Sequence, residues 1–324
     1  MSALTFQALR RLADGRFHSG VDVARALGRS RATLNEALKR APELGIDLFS
    51  VRGKGYRLAL PIEFIDAAEV ARALGDAAPR VRLEVVDEID STSTRLVEQG
   101  AAGAPSGTCL VAEWQSAGRG RRGRSWVASV GGSLTFSMLW RFERGAGELG
   151  GLSLAAGAAV AGALADCGVA RAQVKWPNDV VVDLRKLAGV LVETAGEMQG
   201  PSVAVIGVGV NYRLADRVLE HIDQPVIDVA QCAPRVPSRS FLLGRILARL
   251  AAGFDDFDAR GFAAVRETWR SLHAYQGRAV RVVAPHQAPF DAQVVDVASD
   301  GALVVSTAAG LVHLASAEIS MRPR

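Results

Sequence analysis

Cysteine is scarce in this chain. There are three in 324 residues, Cys109, Cys167 and Cys232, far apart and odd in number. That excludes a disulfide framework and any thiolate metal spacing. The five histidines form neither an HxxxH nor an HExxH pattern, which argues against a transition-metal site. No apolar run reaches the roughly 18 residues that cross a bilayer, and no membrane partner is expected. Met1 to Arg11 has no basic start followed by an apolar core, so it does not read as a secretory signal. A reducing cytoplasm is the expected location. No Gly-x4-Gly-Lys-Ser/Thr is present, which excludes a P-loop. Gly207-Val208-Gly209-Val210-Asn211 lacks the third glycine and following helix of a dinucleotide fingerprint.

What is present is the composition of a globular protein, 49% apolar and 22% charged. The length predicts two or three domains. The net charge of +4 is unevenly placed. Residues 1–60 carry 11 Lys or Arg against 5 Asp or Glu, a balance of +6, so the rest of the chain is near −2. A basic segment on a near-neutral body points to a polyanion that meets that segment alone.

The densest feature is Gly118-Arg119-Gly120-Arg121-Arg122-Gly123-Arg124, after an apolar strand-like run from Thr108 to Glu113 and before Trp126. Arginine supplies fixed charge and planar donors for phosphate or carboxylate. Glycine supplies a backbone that can fold closely around a ligand. A solvated basic loop, or a patch that holds nucleic acid nonspecifically, competes with a ligand-closing loop until the rest of the chain is read.

At the N-terminus Phe6, Leu9 and Leu12 have helical spacing. Ser19 with Asp22 reads as a capping box, Val23 and Leu27 continue at i, i+4, and Gly28 can end the helix. Ser30 caps a third helix that buries Leu34 and Leu38. Leu48 to Val51, a glycine turn at 52–55 and Tyr56 to Leu58 read as a hairpin. The pattern predicts a winged helix-turn-helix over 1–62. Its groove-facing candidates are Arg29, Arg31, Thr33, Asn35 and Lys39, with Arg52 and Lys54 on the wing reaching phosphates. Glu36 would repel phosphate, and Pro42 should end the helix early. A winged helix used only for packing is the competing reading.

Residues 63–272 alternate strands with long apolar helices, at Leu149 to Cys167 and Phe241 to Phe257, and predict a mixed α/β layered domain. Asp90-Ser91-Thr92-Ser93-Thr94 opens a helix whose amides and hydroxyls could bind a polar or anionic group, although such runs are commonly plain caps. Lys175-Trp176-Pro177-Asn178-Asp179 precedes the apolar run Val180 to Val182. Lysine there can neutralise phosphate, and Asp179 can hold Mg²⁺ or orient an arginine. Lys186 opens a run of small and apolar residues. Over 273–324, short strands with turn signals at 299–301 and 308–310 predict a small SH3-like β-barrel. The chain is therefore expected to be an α+β protein of three domains.

These residues together resemble the biotin protein ligases, in the bacterial bifunctional form that also represses the biotin operon. The likeness spans Phe17 to Gly20, Gly53 to Tyr56, Asp90 to Thr92, the 118–124 loop, Lys175 to Asp179, Arg185 to Gly189 and Gly209 to Asn211. It implies ATP-dependent formation of biotinyl-5′-adenylate and transfer of biotin to a lysine of a biotin carboxyl carrier protein. It further implies operator DNA and a ligand-dependent homodimer as partners, with Mg²⁺ as cofactor. By the same resemblance Ser91, Thr92 and Gln115 meet biotin, as does Ser93, which departs from the family's asparagine. Gly118, Arg119 and Arg121 fold over the biotin carboxylate and the phosphoryl group. Lys186 sits between carboxylate and α-phosphate, Trp126 stacks on adenine, and Lys175, Asn178, Asp179 and Asn211 serve ATP, with Asp179 the candidate metal ligand. Two alternatives stay open: a ligase whose winged helix no longer reads DNA, and a biotin-sensing transcription factor without ligase activity.

Overall fold

The structure is a computed structural model and describes residues 2–283, 288–315 and 320–323. Met1, 284–287, 316–319 and Arg324 lie outside the described residues, the first in the first expected domain and the others in the third.

Three helices come first: α1 (Ser2–Leu12), α2 (Gly20–Ala26) and α3 (Arg31–Leu38). Their starts follow from their caps. Ser19 Oγ accepts from the Asp22 amide, and Ser30 Oγ accepts from the Thr33 amide at 3.1 Å. Gly28, at φ +63, turns the chain between α2 and α3, a conformation glycine adopts without a Cβ clash. Helix α3 stops at Leu38, ahead of Pro42. An antiparallel hairpin follows, β1 (Leu48–Val51) and β2 (Gly55–Leu58). Phe6, Leu9, Leu12, Val23, Leu34, Leu38, Tyr56 and Leu58 form one buried cluster under these elements.

The central region is a seven-stranded mixed sheet in the order β3-β4-β5-β9-β8-β7-β6. Its strands are β3 (Arg82–Ile89), β4 (Thr108–Gln115), β5 (Ser133–Phe142), β6 (Gln173–Lys175), β7 (Asp179–Val182), β8 (Arg185–Gly196) and β9 (Ser202–Asn211). Strands β3 and β4 pair in parallel, and the other neighbours are antiparallel. The helices are α4 (Ala67–Leu74), α5 (Thr92–Ala101), α6 (Leu152–Asp166), the single turns α7 (Asp216–Leu219) and α8 (Val229–Cys232), α9 (Arg239–Arg260) and α10 (Arg266–Leu272). A parallel pair needs a crossover, and α5 supplies it. Helix α6 is almost wholly small and apolar, and buries ten of its residues against the sheet and α9.

Side-chain alternation decides where a cavity can open. On β5, Leu134, Phe136 and Met138 face the main core. The other face of the sheet carries Leu139 and Val205, packed under Leu96 of α5. Further along that same face the residues become Thr135 and Ser137 on β5, Gly207 and Gly209 on β9, and Gly189 on β8. Glycines and hydroxyls replace leucines there, and the sheet face is left uncovered by bulk.

The C-terminal segment is a five-stranded antiparallel sheet, β10 (Ala279–Val283), β11 (Phe290–Val297), β12 (Leu303–Thr307), β13 (Gly310–Leu314) and β14 (Ser320–Pro323). Its order is β13-β12-β11-β10-β14, and no β13–β14 pairing closes it among the described residues. It docks through Trp176, fully buried, whose indole N–H donates to the Gly301 carbonyl at 3.1 Å.

The N-terminal unit meets the central sheet through Arg40, which pairs with Glu88 of β3 at 2.9 Å, through Arg10 and Asp87, and through the Val130 amide on the Leu44 carbonyl. The connecting stretch is pinned by a fully buried ion pair. Arg239 Nη1 donates to Glu113 Oε2 at 2.8 Å and to the Glu63 carbonyl, while Glu113 Oε1 accepts from the Ile65 amide at 2.6 Å. Breaking such a pair leaves an uncompensated buried charge, at a cost of about 3–5 kcal/mol.

Candidate active site

A cavity of about 870 Å³ lies over the uncovered sheet face. That is the size of a small-molecule site. Its walls include Thr92, Ser93, Gln115, Arg119, Arg121, Trp126, Lys175, Asn178, Asp179, Lys186 and Asn211, so the structure gathers most of the sequence-derived candidates into one place. Ser91 and Gly118 stand behind the wall. Ser91 Oγ caps α5 through the Thr94 amide at 3.3 Å, and the Gly118 carbonyl accepts from the Trp126 amide.

One end of the cavity is neutral and already hydrogen-bonded. Thr92, Ser93 and Ser137 are buried. Ser137 Oγ lies 2.7 Å from Thr92 Oγ1 and 2.9 Å from Ser93 Oγ. Gln115 Oε1 accepts from the Thr92 amide at 2.8 Å and from its hydroxyl at 3.1 Å. The Gln115 oxygen is thereby fixed, leaving its amide N–H groups to face a ligand. The serine that replaces the asparagine of the family pattern is held in this chain of hydroxyls. A methyl group on Gly207 would lie 2.5 Å from Ser93 Oγ, so β9 needs glycine there. Sequence reasoning missed Ser137. Its signal was the alternation Ser133, Thr135, Ser137 in an otherwise apolar strand.

The other end is charged. Lys186 Nζ lies 2.8 Å from Asp179 Oδ1, with both side chains 18% exposed, and 5.7 Å from the Trp126 ring. That contact is electrostatic rather than directional, since Asp179 Oδ1 accepts no aligned hydrogen bond. Arg121 Nη1 donates to Asn178 Oδ1 at 3.1 Å, and Asn178 Nδ2 donates to the Val190 carbonyl at 2.8 Å. Burial, then the like charges of Arg122 and Arg124, push the Arg121 guanidinium below its usual range, against the pull of Asp179. Arginine stays charged under such pressure, so the site carries a poorly solvated cation. Lys175 Nζ stands 5.7 Å from the Tyr275 ring, and both line the cavity.

Between the two ends Trp126 lies flat on glycine. Gly189 and Gly209 face each other in the β8–β9 register, and a Cβ at Gly209 would come within 2.3 Å of the indole. The indole N–H is buried and finds no acceptor among the described residues.

Two candidates take on structural contacts. Asn211 Nδ2 donates to the Lys186 carbonyl at 3.1 Å and to the Ile227 carbonyl at 3.3 Å. It ties β9 to the base of Lys186 and to the segment 221–227, which covers the site and which sequence reasoning did not find. Arg119 sends its guanidinium to Glu193 of β8 and to Thr94, near the neutral end. Glu193 is seven residues along β8 from Lys186, roughly 20 Å at strand spacing. The Arg119 and Arg121 side chains therefore serve opposite ends of the cavity.

Among the described residues no group of three or more His, Cys, Asp or Glu could hold a metal ion. Asp179 is already engaged by Lys186. A resident Mg²⁺ cage does not fit this donor set.

In the N-terminal unit Arg29, Arg31, Thr33, Asn35, Lys39, Arg52 and Lys54 are all exposed. Lys39 pairs with Glu36 at 2.7 Å, Asn35 Oδ1 accepts from Tyr56 OH at 3.0 Å, and Thr33 belongs to the Ser30 cap. Arg29, Arg31 and Arg52 have no ion pair among the described residues.

Comparison with known proteins gives the family. The family model described as Biotin/lipoate A/B protein ligase family matches residues 85–211, and that of the Biotin protein ligase C terminal domain matches 275–322. The chain is 36% identical over 272 residues to the Bifunctional ligase/repressor BirA of Salmonella typhimurium, covering 84% of this chain and 83% of that one. It is 26% identical over 310 residues to the Bifunctional ligase/repressor BirA of Bacillus subtilis, with 95% of each chain covered. Among solved structures, the biotin protein ligase of Aquifex aeolicus in complex with biotin and ATP superimposes with a TM-score of 0.64 at 28% identity, over 75% of this chain and 99% of that one. No helix of the described residues is long and apolar enough to cross a membrane. With its glycine–arginine loop, its lysine-bearing β8 and its matched C-terminal sheet, the chain belongs to the biotin protein ligases.

Proposed function

We propose that this chain is an ATP-dependent biotin protein ligase that forms biotinyl-5′-adenylate and pyrophosphate. It then passes biotin to a lysine of a biotin carboxyl carrier protein, and its N-terminal unit makes it a biotin-dependent repressor of the biotin operon. The observation that carries the reading is the division of one cavity. A neutral end of fixed hydroxyls and a carboxamide suits an uncharged polar ring, and a cationic end suits a carboxylate beside phosphates. The matched relatives, one of them solved with biotin and ATP, support the same assignment.

In this mechanism Gln115, Thr92, Ser93 and Ser137 hold the ureido ring, with Ser91 fixing the start of α5. Lys186 lies where the biotin carboxylate attacks the α-phosphate. Its ammonium, held in place beside Asp179, answers the developing charge, which a preorganised cation stabilises best in a site shielded from water. Arg121 lowers the charge of the phosphoryl oxygens, and Lys175 serves the departing pyrophosphate. Trp126 offers an aromatic face to adenine, while Asn178 and Asn211 hold the loop tip and the covering segment in register. Asp179 would be the one carboxylate within reach of a Mg²⁺ brought in on the phosphates of ATP as part of the substrate, where the ion would screen their charge. Closure of the loop keeps water from the mixed anhydride until the acceptor lysine arrives.

The N-terminal unit reads as a winged helix, with Arg29, Arg31 and Arg52 as phosphate contacts and α3 as the groove element. A buried cluster of its own favours an N-terminal domain over 1–62, and a sheet of its own, on a core shared with the central sheet, favours dividing the rest into 63–272 and 273–324, the last an SH3-like fold. A cytoplasmic location and a ligand-dependent homodimer complete the reading. Biotin-dependent exchange of labelled pyrophosphate into ATP tests it. Exchange should be present and should collapse in Lys186→Ala and Arg121→Ala. Full exchange in both variants would sink the assignment of the charged end.

A further inference from the structure

Arg119 and Glu193 form a two-point contact. Arg119 Nη2 lies 2.8 Å from Glu193 Oε1, and Arg119 Nη1 donates to Glu193 Oε2 at 3.1 Å. A third contact runs from Arg119 Nη1 to Thr94 Oγ1 at 3.4 Å. Paired forks of this kind are the geometrically strict form of the arginine–carboxylate contact. The side chain of Glu193 is 25% exposed against 47% for Arg119, so the carboxylate is the better-shielded partner.

The loop around Arg119 is a short hairpin. Trp126 N donates to the Gly118 carbonyl at 2.9 Å, Gly120 N donates to the Arg124 carbonyl at 2.7 Å, and Arg119 faces Ser125 across this ladder. Beyond the stem, Arg122 sits at φ 57 and Gly123 at φ 71, where regular pairing has ended. The stem thus has two backbone hydrogen bonds of its own and an external anchor at Arg119, whose guanidinium meets Glu193 and Thr94. Of these two Glu193 is the charged partner, rooted in β8, whose register with β9 runs unbroken from Ala188 to Gly196.

We propose that Glu193 is a positioning residue that clamps the Arg119 guanidinium, holding the stem of the glycine–arginine loop against the sheet while the tip at 121–124 remains able to move. Its effect on catalysis rests on the ligase reading above, but the clamp itself does not. The loop is rich in glycine and arginine, so an unanchored stem has many open conformations to sample. Fixing the stem restricts motion to the tip, which carries Arg121 over the phosphate end. Arg119 then acts through its anchoring rather than as a direct phosphate contact. The clamp also gives the loop's arginines separate roles, with Arg119 locking the neutral end and Arg121 answering the charged end.

The test has two arms on the full-length protein. The first is limited trypsin cleavage without substrates, scored at 119–124 and normalised to cleavage elsewhere in the chain. Glu193→Gln should raise loop cleavage about three- to tenfold, because the variant keeps the shape and loses the charge. The charge swap Arg119→Glu with Glu193→Arg should restore protection at the remaining loop arginines. The second arm is the rate at which preformed biotinyl-adenylate leaves the protein, which should rise by a similar factor in Glu193→Gln and return in the swap. Cleavage and release within twofold of the parent in Glu193→Gln would overturn the clamp. So would failure of the swap to recover either property in a variant that melts with the parent. If the parent protein forms no adenylate at all, the ligase reading fails, and the trypsin arm still judges the clamp.

Discussion

The two ends of the cavity solve recognition in opposite ways. At the neutral end the hydroxyls are buried and already bonded, as Ser137 is to Thr92 and Ser93, and they leave the Gln115 N–H groups for a ligand. At the charged end Lys186 and Asp179 hold each other without directional alignment, and Arg121 stays poorly solvated on the loop tip. A neutral ring gains little from charge and much from preformed dipoles. A reacting carboxylate and phosphate need cations already placed where the charge develops. Affinity and chemistry thus fall to different residues, on α5, β4 and β5 at one end and on β7, β8 and the loop at the other, and each can be attacked alone.

The largest expected effect is at the charged end. Lys186→Ala should lower the adenylation rate about 10²- to 10³-fold, the range for losing one charge-stabilising donor, with little change in KM for biotin. Pyrophosphate exchange at saturating biotin reads it.

Acid should separate the ends next. His273 accepts from the Trp176 amide at 3.5 Å and stacks on Trp269 at 4.4 Å, and burial pushes its pKa down to about 4. The unfolded chain binds a proton near pH 6.5 that the folded chain refuses until about pH 4. Stability contributed by the neutral ring is therefore complete above about pH 6.5 and is lost as pH falls through that window, by roughly 3 kcal/mol in all. Melting temperature against pH should steepen there, and His273→Gln should flatten it. ATP binding should weaken in acid before biotin binding, because His273 supports the turn that carries Lys175 and Asn178.

A smaller effect is expected from Thr92→Val. Removing its hydroxyl leaves Gln115 and Ser137 short of a partner and should raise KM for biotin about tenfold, the scale of one unpaired buried polar group, with kcat retained. Smallest is the DNA side. Arg31→Ala should reduce the salt slope of operator binding by about one, as expected for one lost phosphate contact. Lys39→Ala, whose charge already meets Glu36, should change it less. Equal losses in both would erase the distinction between engaged and unengaged cations.

Much of this was legible because the signals are local. Ser19, Ser30 and Ser91 cap helices that begin where their spacing predicts, and the apolar runs at Thr108 and Ser202 become strands. The glycine–arginine loop, Lys186 and the turn at 175–179 announce themselves by charge. What was illegible depends on partners far along the chain. Glu193 becomes meaningful only when β8 is laid beside the loop 74 residues earlier. Asn211 invites reading as a ligand contact, yet its amide spans two carbonyls brought together by the sheet. The order of the C-terminal strands, open at β13 and β14 among the described residues, is set by tertiary pairing that turn signals do not encode.

Division of labour within one cavity is decided by a single assay, biotin-dependent pyrophosphate exchange, with kcat and KM for biotin determined for the parent, Thr92→Val and Lys186→Ala. Thr92→Val should raise KM alone, and Lys186→Ala should lower kcat alone. Both variants shifting the same parameter, or a parent protein with no exchange, would contradict that division.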